Sequence, residues 1–292
     1  MENKMQTSPK VDSVTSFLSL VFSQNSPKHI RCYRGQSSKD WILKPSVMRG
    51  LRKDAEKQIF SELMTEAPGE FSGDRLMFEK LVRAQHYGLP TRLLDVSLNP
   101  LVALYFACDE RNHHDKDGVV QLLDFAEERV RFADSDTVSL ICNLARLSDS
   151  EQNEISQFIK IKKPSNEAGK SEFRKLDAMK RLTQFIRVEK PYFTDTANHL
   201  DLIKYYFVHP AKNNRRVIAQ SGAFVAAGLL KYEKAGRNGK GFALSNIVIP
   251  ASLKEKILEQ LDVLNINSRT MFPEVEFVSK YIKRKWEIPN KL

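Results

Sequence analysis

One short stretch, residues 84–95, concentrates the side chains that proteins use for acid–base chemistry and anion binding. It reads AQHYGLPTRLLD and carries five polar side chains of interest: Gln85, His86, Tyr87, Arg92 and Asp95. A histidine can transfer a proton near neutral pH, and an arginine can bind a carboxylate or a phosphate through two parallel hydrogen bonds. The apolar runs LMFEKLV and LVALYFAC lie on either side. Polar groups in such a setting must bind each other or a ligand.

Two interpretations of this stretch remain open at the level of sequence. In one, Arg92 and Asp95 form a buried ion pair that fixes the loop, while Thr91 and Gln85 bind backbone groups. In the other, the stretch is one wall of a ligand pocket in which His86 moves a proton and Arg92 binds an anion. The residue types fit both.

Two distant segments offer further candidates. In YRGQ, at residues 33–36, Arg34 lies at the end of a predicted strand, Gly35 would let a ligand approach the backbone, and Tyr33 offers a stacking face. A surface arginine is the alternative there. In RVIAQSGAF, Gln220 and the following Ser-Gly interrupt a predicted strand, which indicates either a close backbone contact or an ordinary hairpin corner.

The elements that position these residues follow from hydrophobic periodicity and capping signals. Helices are predicted over residues 13–23, 54–68, 74–88, 100–110, two between 137 and 159, one over 253–264 with a capping box at Ser252 and Glu255, and one from Pro273 onward. Strands are predicted over residues 30–35, 119–125, 215–228 and 241–250. Within the helix at 74–88, Glu79, Arg83 and His86 are spaced to share one face.

This order predicts one α+β domain over residues 1–292, with a helical N-terminal half and a β-rich later part. The basic stretch at 160–175, KIKKPSNEAGKSEFRK, is predicted to be a mobile loop. Three widely spaced cysteines predict reduced packing residues in a cytoplasmic protein, and no stretch predicts a membrane span or a metal site.

The charge balance predicts an anionic partner. Lysine and arginine number 46 against 36 acidic residues, which gives a formal charge of +10. A nucleotide or a nucleic acid would match that excess. No Walker loop, GxGxxG, HExxH or GxSxG pattern is present, so the commonest nucleotide-binding and hydrolase classes are not indicated.

Four segments together resemble the FRG domain family of bacterial and phage-associated proteins: YRGQ, EKLVRAQHYGLPTRLLDVSLNPLVALYFAC, RVIAQSGAF and FPEVEFVSKYI. The family takes its name from a Phe-Arg-Gly motif, in which Tyr33 here replaces the phenylalanine. Val96 also stands where an aromatic residue is expected. The resemblance runs from about Phe17 to Ile282 and implies a role in antiphage defence or a toxin-like effector. It points to these positions: Arg34, Gln36, Glu79, Gln85, His86, Thr91, Arg92, Asp95, Gln220 and Gly222.

An ADP-ribosyltransferase-like enzyme that consumes NAD is one function that fits. The strand-borne Arg34 is similar to the arginine with which such enzymes hold the NAD pyrophosphate, and Tyr33 or Tyr87 would stack on a ring. Glu79 or His86 would stabilise the developing oxocarbenium ion or take a proton. These enzymes usually carry a late catalytic glutamate. Glu276 is a candidate for it, although an acidic residue in a first helical turn is equally explained by the helix dipole.

A nucleic-acid or nucleotide binding and sensing module without catalysis is the alternative. Basic stretches at KIKKPSNEAGK, KYEKAGRNGK and KYIKRKW support it. Such binding would depend on surface lysines and weaken steeply with salt.

Overall fold

The chain was analysed as a computed structural model, which describes residues 11–24, 30–164, 166–212, 214–229 and 242–286. Seven strands occur in these ranges: β1 (Ile30–Gln36), β2 (Leu93–Ser97), β3 (Gly118–Phe125), β4 (Val130–Phe132), β5 (Tyr205–His209), β6 (Gly222–Ala227) and β7 (Phe242–Ile249). The same ranges hold the helices α1 (Val14–Ser23), α2 (Ala55–Glu66), α3 (Met77–His86), α4 (Pro100–Cys108), α5 (Asp136–Asn143), α6 (Asp149–Lys162), α7 (Glu167–Arg174), α8 (Asp177–Glu189), α9 (Arg215–Ala219), α10 (Lys254–Val263), α11 (Ser268–Met271) and α12 (Val275–Trp286).

The strands form one sheet in the order β4-β5-β6-β2-β1-β3-β7. All neighbours are antiparallel except β4 and β5, which are parallel. β1 pairs with β3 along its whole length, and β2 pairs likewise with β6. Between β1 and β2, however, the only Cα pair in register is Tyr33 with Ser97 among the described residues. The sheet therefore consists of two halves, and at its centre the described residues join them through this one pair of residues in register.

Alternation along the strands divides the core into layers. On one face, Cys32 of β1 packs with Leu94 of β2 and Phe207 of β5 in a cluster that joins both halves of the sheet. On the other face, Tyr33 packs with α4, α1 and α10, and Leu93 packs with α3 and α5. A third cluster lies among α5, α6, α7 and α8, away from the sheet.

Local signals account for several helix starts. The Ser13 hydroxyl caps α1, and the Asn99 side chain accepts a hydrogen bond from the Leu101 N–H at the start of α4. α4 is apolar nearly all round and is buried on most sides, as predicted. The three cysteines are free and buried.

The α+β class is confirmed, but helices and strands alternate through both halves of the chain, so the expected separation into a helical and a β-rich part is wrong. Residues 215–219 form α9 rather than a strand, and α10 begins at Lys254 without the predicted Ser252 cap. The basic stretch at 160–175 is mostly helical, at the end of α6 and in α7. The sequence patterns also missed β2, β4, β5, α8 and α11. The basic turn predicted at 234–241 lies outside the described residues.

No helix in the described part of the chain is both long and apolar enough to cross a bilayer.

Candidate functional site

A cavity of about 270 Å³ lies where β1 and β2 separate. Side chains from β1, β2, α3, α4 and α9 reach it. Eight of the residues singled out from the sequence line this cavity: Tyr33, Arg34, Gly35, Gln36, Gln85, His86, Asp95 and Gln220. Three segments that are distant in sequence therefore meet at one place.

Arg34 projects from β1 and makes one hydrogen bond, from Nη1 to the backbone carbonyl oxygen of Asp95 at 2.6 Å. Its Nε is buried and has no partner among the described residues. Burial lowers the pKa of the Arg34 guanidinium, while the Asp95 carboxylate opposes that shift and Arg49 reinforces it. An arginine with unused buried N–H groups at a cavity wall can bind a phosphate or carboxylate group of a ligand.

Gln36, two residues further along β1, is almost completely buried, with 3% of its surface exposed. Neither Nε2 nor Oε1 of its amide has a hydrogen-bond partner in the described part of the chain. A buried unpaired amide costs free energy, so such groups usually meet water or a ligand. Gln36 thus offers the cavity both donors and an acceptor.

Gln85 on α3 orients Asp95 through a side-chain network. Its Oε1 accepts a hydrogen bond of 2.5 Å from the Thr91 hydroxyl, and its Nε2 donates to the Asp95 carboxylate. Thr91 also accepts a hydrogen bond from the Leu93 N–H at 3.2 Å. Because the carboxylate can only accept, the amide nitrogen of Gln85 must face Asp95 and its oxygen must face the Thr91 hydroxyl, and this holds the carboxylate at the cavity wall.

His86, at the end of α3, lies beside Asn214, with 3.0 Å between His86 Nδ1 and Asn214 Nδ2. Burial lowers the pKa of the imidazole, and the Asp95 carboxylate opposes that effect while Arg216 adds to it. Burial therefore favours the neutral ring at pH 7.

Several residues that line the cavity carry no signal in the sequence that predicts a site: Trp41, Arg49, Phe106, Glu110 and Arg216. Arg49 follows a short 3₁₀ helix, where no periodicity marks it, and its Nε and Nη2 donate to the Lys44 carbonyl oxygen. Arg216 lies in a segment for which the sequence pattern predicts a strand, whereas the structure has helix α9 there. Its guanidinium packs 4.6 Å from the centre of the Phe272 ring. Counted with Arg34, three guanidinium groups face two carboxylates around the cavity. That excess favours an anionic ligand.

The position of Arg92 contradicts the role that each of the two initial interpretations gave it. Its side chain is fully buried and pairs with Glu56 of α2, through bonds of 2.8 Å and 2.5 Å, rather than with Asp95. Its Nη1 also donates to the Gly228 carbonyl oxygen at 3.2 Å. Arg92 does not line the cavity and is part of the fold's internal support.

Tyr87 and Glu79 also lie outside the cavity. Tyr87 is 56% exposed and donates its hydroxyl hydrogen to Glu70 at 2.6 Å. Glu79 accepts hydrogen bonds from the N–H groups of Arg75 and Leu76, at the start of α3. The predicted face shared by Glu79 and His86 therefore does not bring them to one cavity.

A second cavity, of about 640 Å³, holds Glu79 together with Arg83, Asn214 and Glu274. Arg216 lines both cavities, so they adjoin at α9. Glu276 lies in the first turn of α12, and its side chain is outside the described part of the structure.

Gly35 lines the cavity and is also required for packing. A Cβ at this position would lie 1.9 Å from the Ala103 carbonyl oxygen in α4, so only glycine lets α4 approach β1 this closely. The Ser-Gly pair after Gln220 forms the corner between α9 and β6, with Ser221 at a positive φ of 46°.

No group of three or more His, Cys, Asp and Glu side chains suited to a metal ion occurs in the described ranges.

Comparison with known families identifies one segment of the chain. Residues 29–116 match the FRG domain, a span that contains Arg34, Gln36, His86 and Asp95 and ends before Arg216 and Gln220. No curated protein and no solved structure matches the chain. The chain thus resembles the FRG domain family over residues 29–116, less than a third of its length, and this segment supplies most of the candidate site.

Proposed function

We propose that this FRG-domain protein is the effector of a bacterial defence or toxin-like system, and that its central cavity binds and processes a nucleotide such as NAD. The observation that carries the proposal is that Arg34 and Gln36 lie two residues apart on β1 and line the same cavity wall. Both present buried polar atoms without partners among the described residues. Phosphate oxygens accept charge-assisted hydrogen bonds from guanidinium groups, and a buried amide can form hydrogen bonds with the polar atoms of a base or a sugar.

Aromatic side chains supply the complementary apolar surface. Trp41, Phe106 and Tyr33 line the same cavity as the guanidinium groups. A nucleotide combines a flat base with phosphates, and it would use both kinds of contact.

The size of the cavity fits one end of a dinucleotide. Its volume of about 270 Å³ is near the lower limit of small-molecule sites, which is about 300 Å³. The adjoining second cavity, reached across Arg216, would take the remainder.

In the proposed reaction, the bond between the ribose C1′ and the nicotinamide nitrogen breaks, and its electron pair leaves with neutral nicotinamide. Water or an acceptor side chain then bonds to C1′ and loses a proton. Positive charge develops on the ribose, and a fixed carboxylate stabilises it. Asp95 is the carboxylate that Gln85 orients at the cavity wall, whereas Glu79 caps a helix elsewhere. We assign the stabilising role to Asp95.

Nucleotide or nucleic-acid sensing without catalysis is the second proposal. It is favoured by the position of Glu79, the expected acid, outside the cavity. An anion-binding wall would serve a sensor equally well.

The test is NAD consumption by the purified chain, alone and with cell lysate, together with ADP-ribose binding by calorimetry. Arg34→Ala should abolish turnover and weaken binding about tenfold to a hundredfold, the cost of one charged hydrogen-bond partner. Arg52→Ala is the matched control, because Arg52 is exposed and does not line the cavity.

Each outcome has a distinct meaning. Binding that depends on Arg34 without turnover would support the sensor. Equal ADP-ribose affinity in the Arg34→Ala and Arg52→Ala proteins would reject the cavity as the nucleotide site. Binding of DNA or RNA that depends on surface lysines and falls steeply with salt would favour nucleic acid instead.

A further inference from the structure

The Asn214 side chain contacts two different parts of the protein. Its Oδ1 accepts hydrogen bonds from the backbone N–H groups of Arg216 at 2.8 Å and Val217 at 3.3 Å. A backbone N–H can only donate, so the oxygen of the amide must face α9. This contact fixes the orientation of the amide.

The amide nitrogen must then face His86, and Nδ2 lies 3.0 Å from His86 Nδ1. An amide nitrogen is only a donor, so Nδ1 has to accept this hydrogen bond. A ring nitrogen that accepts carries no proton. The proton of the neutral imidazole is therefore on Nε2.

We propose that Asn214 is a positioning residue that holds His86 as the neutral Nε2–H tautomer, so that His86 offers the cavity a hydrogen-bond donor instead of a base. This proposal deepens the proposed function and rests on it for the ligand. The ligand group that meets His86 is an acceptor oxygen, such as that of a phosphate or a ribose. Of the two roles first considered for His86, taking a proton is the one this arrangement disfavours.

The charged groups around His86 come from four elements. Asp95 on β2 and Glu274 before α12 favour the imidazolium, whereas Arg216 on α9 and Arg83 on α3 oppose it. Protonation would also place an Nδ1–H against the N–H group of Asn214, where no acceptor lies. Burial acts in the same direction and lowers the pKa of His86.

The test is long-range ¹H–¹⁵N correlation NMR of the histidine rings in the full chain, near pH 7.5 and without nucleotide. The chain has six histidines, so the signals of His86 are assigned by their loss in His86→Gln. The expected result is a pyridine-like ¹⁵N shift for Nδ1 and a pyrrole-like shift for Nε2.

Two variants of Asn214 separate the tautomer from the fold. Asn214→Asp keeps an oxygen for the α9 N–H groups but places an acceptor at Nδ1, so the proton should move to Nδ1 and the pKa of His86 should rise. Asn214→Ser also keeps a capping oxygen, but it is too short to reach the ring, and the two tautomers should interconvert. ADP-ribose binding, measured at a pH where the ring of the variant is still neutral, should weaken about tenfold in Asn214→Asp, because the neutral Nδ1–H tautomer has no donor at Nε2.

A protonated Nδ1 in the unmodified protein at this pH, or ¹⁵N shifts unchanged by Asn214→Asp, would overturn the assignment of the tautomer. Unchanged ADP-ribose affinity in Asn214→Asp would overturn the donor role. Because the tautomer is read without nucleotide, it stands or falls separately from NAD turnover.

Discussion

Arg34 and Arg92 lie in the two stretches that first drew attention to a functional site, yet their surroundings are opposite. The fully buried Arg92 has Glu56 as a paired carboxylate and two backbone carbonyl oxygens as further acceptors. Arg34 has one carbonyl oxygen as acceptor, and within the described ranges neither its Nε nor the amide of the nearby Gln36 has a partner. The first region is complete without a ligand, and the second has the unused hydrogen-bonding groups that the proposed nucleotide site requires.

The difference shows how a buried guanidinium can be interpreted. Removing a charge from water is costly unless a partner replaces the lost hydration. At Arg92 the partner is part of the protein, so the group joins α2 to β2 and to the segment after β6. At Arg34 the remaining hydrogen-bonding capacity faces a cavity. Whether the donors of a buried guanidinium have acceptors within the protein therefore distinguishes an arginine that supports the fold from one that is free to bind a ligand.

Breaking the Arg92 pair should produce the largest effect. Glu56→Ala leaves a guanidinium buried without its carboxylate, and we expect the free energy of unfolding to fall by about 3–5 kcal/mol. Urea denaturation followed by circular dichroism would measure it. The control is Lys180→Ala, which removes an exposed pair with Asp177 and should change the free energy of unfolding far less, because solvent screens such a pair. If the free energy of unfolding fell equally in the two variants, the Arg92–Glu56 pair would contribute no more to stability than an exposed pair, and Arg92 would not be the structural arginine described above.

Replacing both partners of that pair sharpens the same point. In Glu56→Leu with Arg92→Met, no charge remains buried, and much of the stability lost in the single variant should return. Urea denaturation of the double variant would decide this. No recovery would mean that the pair also holds the segment after β6 in place through Arg92 Nη1.

An intermediate effect of opposite sign is expected at Gln36. Gln36→Met removes the unpaired amide and keeps a similar volume, so the free energy of unfolding should rise by about 1 kcal/mol while ADP-ribose binding weakens. Thermal unfolding and calorimetry measure the two changes. Gln121→Met is a matched control, since Gln121 is a buried glutamine on β3 opposite Arg34 that does not line the cavity. A loss of stability in Gln36→Met would show that the amide is satisfied within the protein.

The smallest effect concerns pH. The pKa of His86 is lowered in the folded chain, so the unfolded chain binds the proton first as the pH falls. The neutral His86 ring therefore contributes to the stability of the fold above the ordinary pKa of about 6.5. This contribution is lost as the pH falls through that value towards the lowered pKa of the folded state. The unmodified protein should therefore lose stability relative to His86→Gln between about pH 7.5 and pH 5. Comparing the two proteins by urea denaturation cancels the titration of all other groups.

Local signals in the sequence were sufficient for much of the fold. The caps at Ser13 and Asn99, the apolar character of α4 and the strand patterns of β1 and β3 all act over a few residues. Short strands such as β4 and the helix at 215–219 carry too few residues for a clear period, and their neighbours in space determine their conformation.

The sequence by itself determined the α+β class, the match of residues 29–116 to the FRG domain and several of the residues around the cavity. It could do so because residue type and local pattern carry that information. Only the tertiary structure decided that Arg92 pairs with Glu56, that Glu79 caps a helix, and that Arg49 and Arg216 join the cavity. Those outcomes depend on which distant side chains come within hydrogen-bonding distance, and that distance is set by the packing of the sheet's two halves.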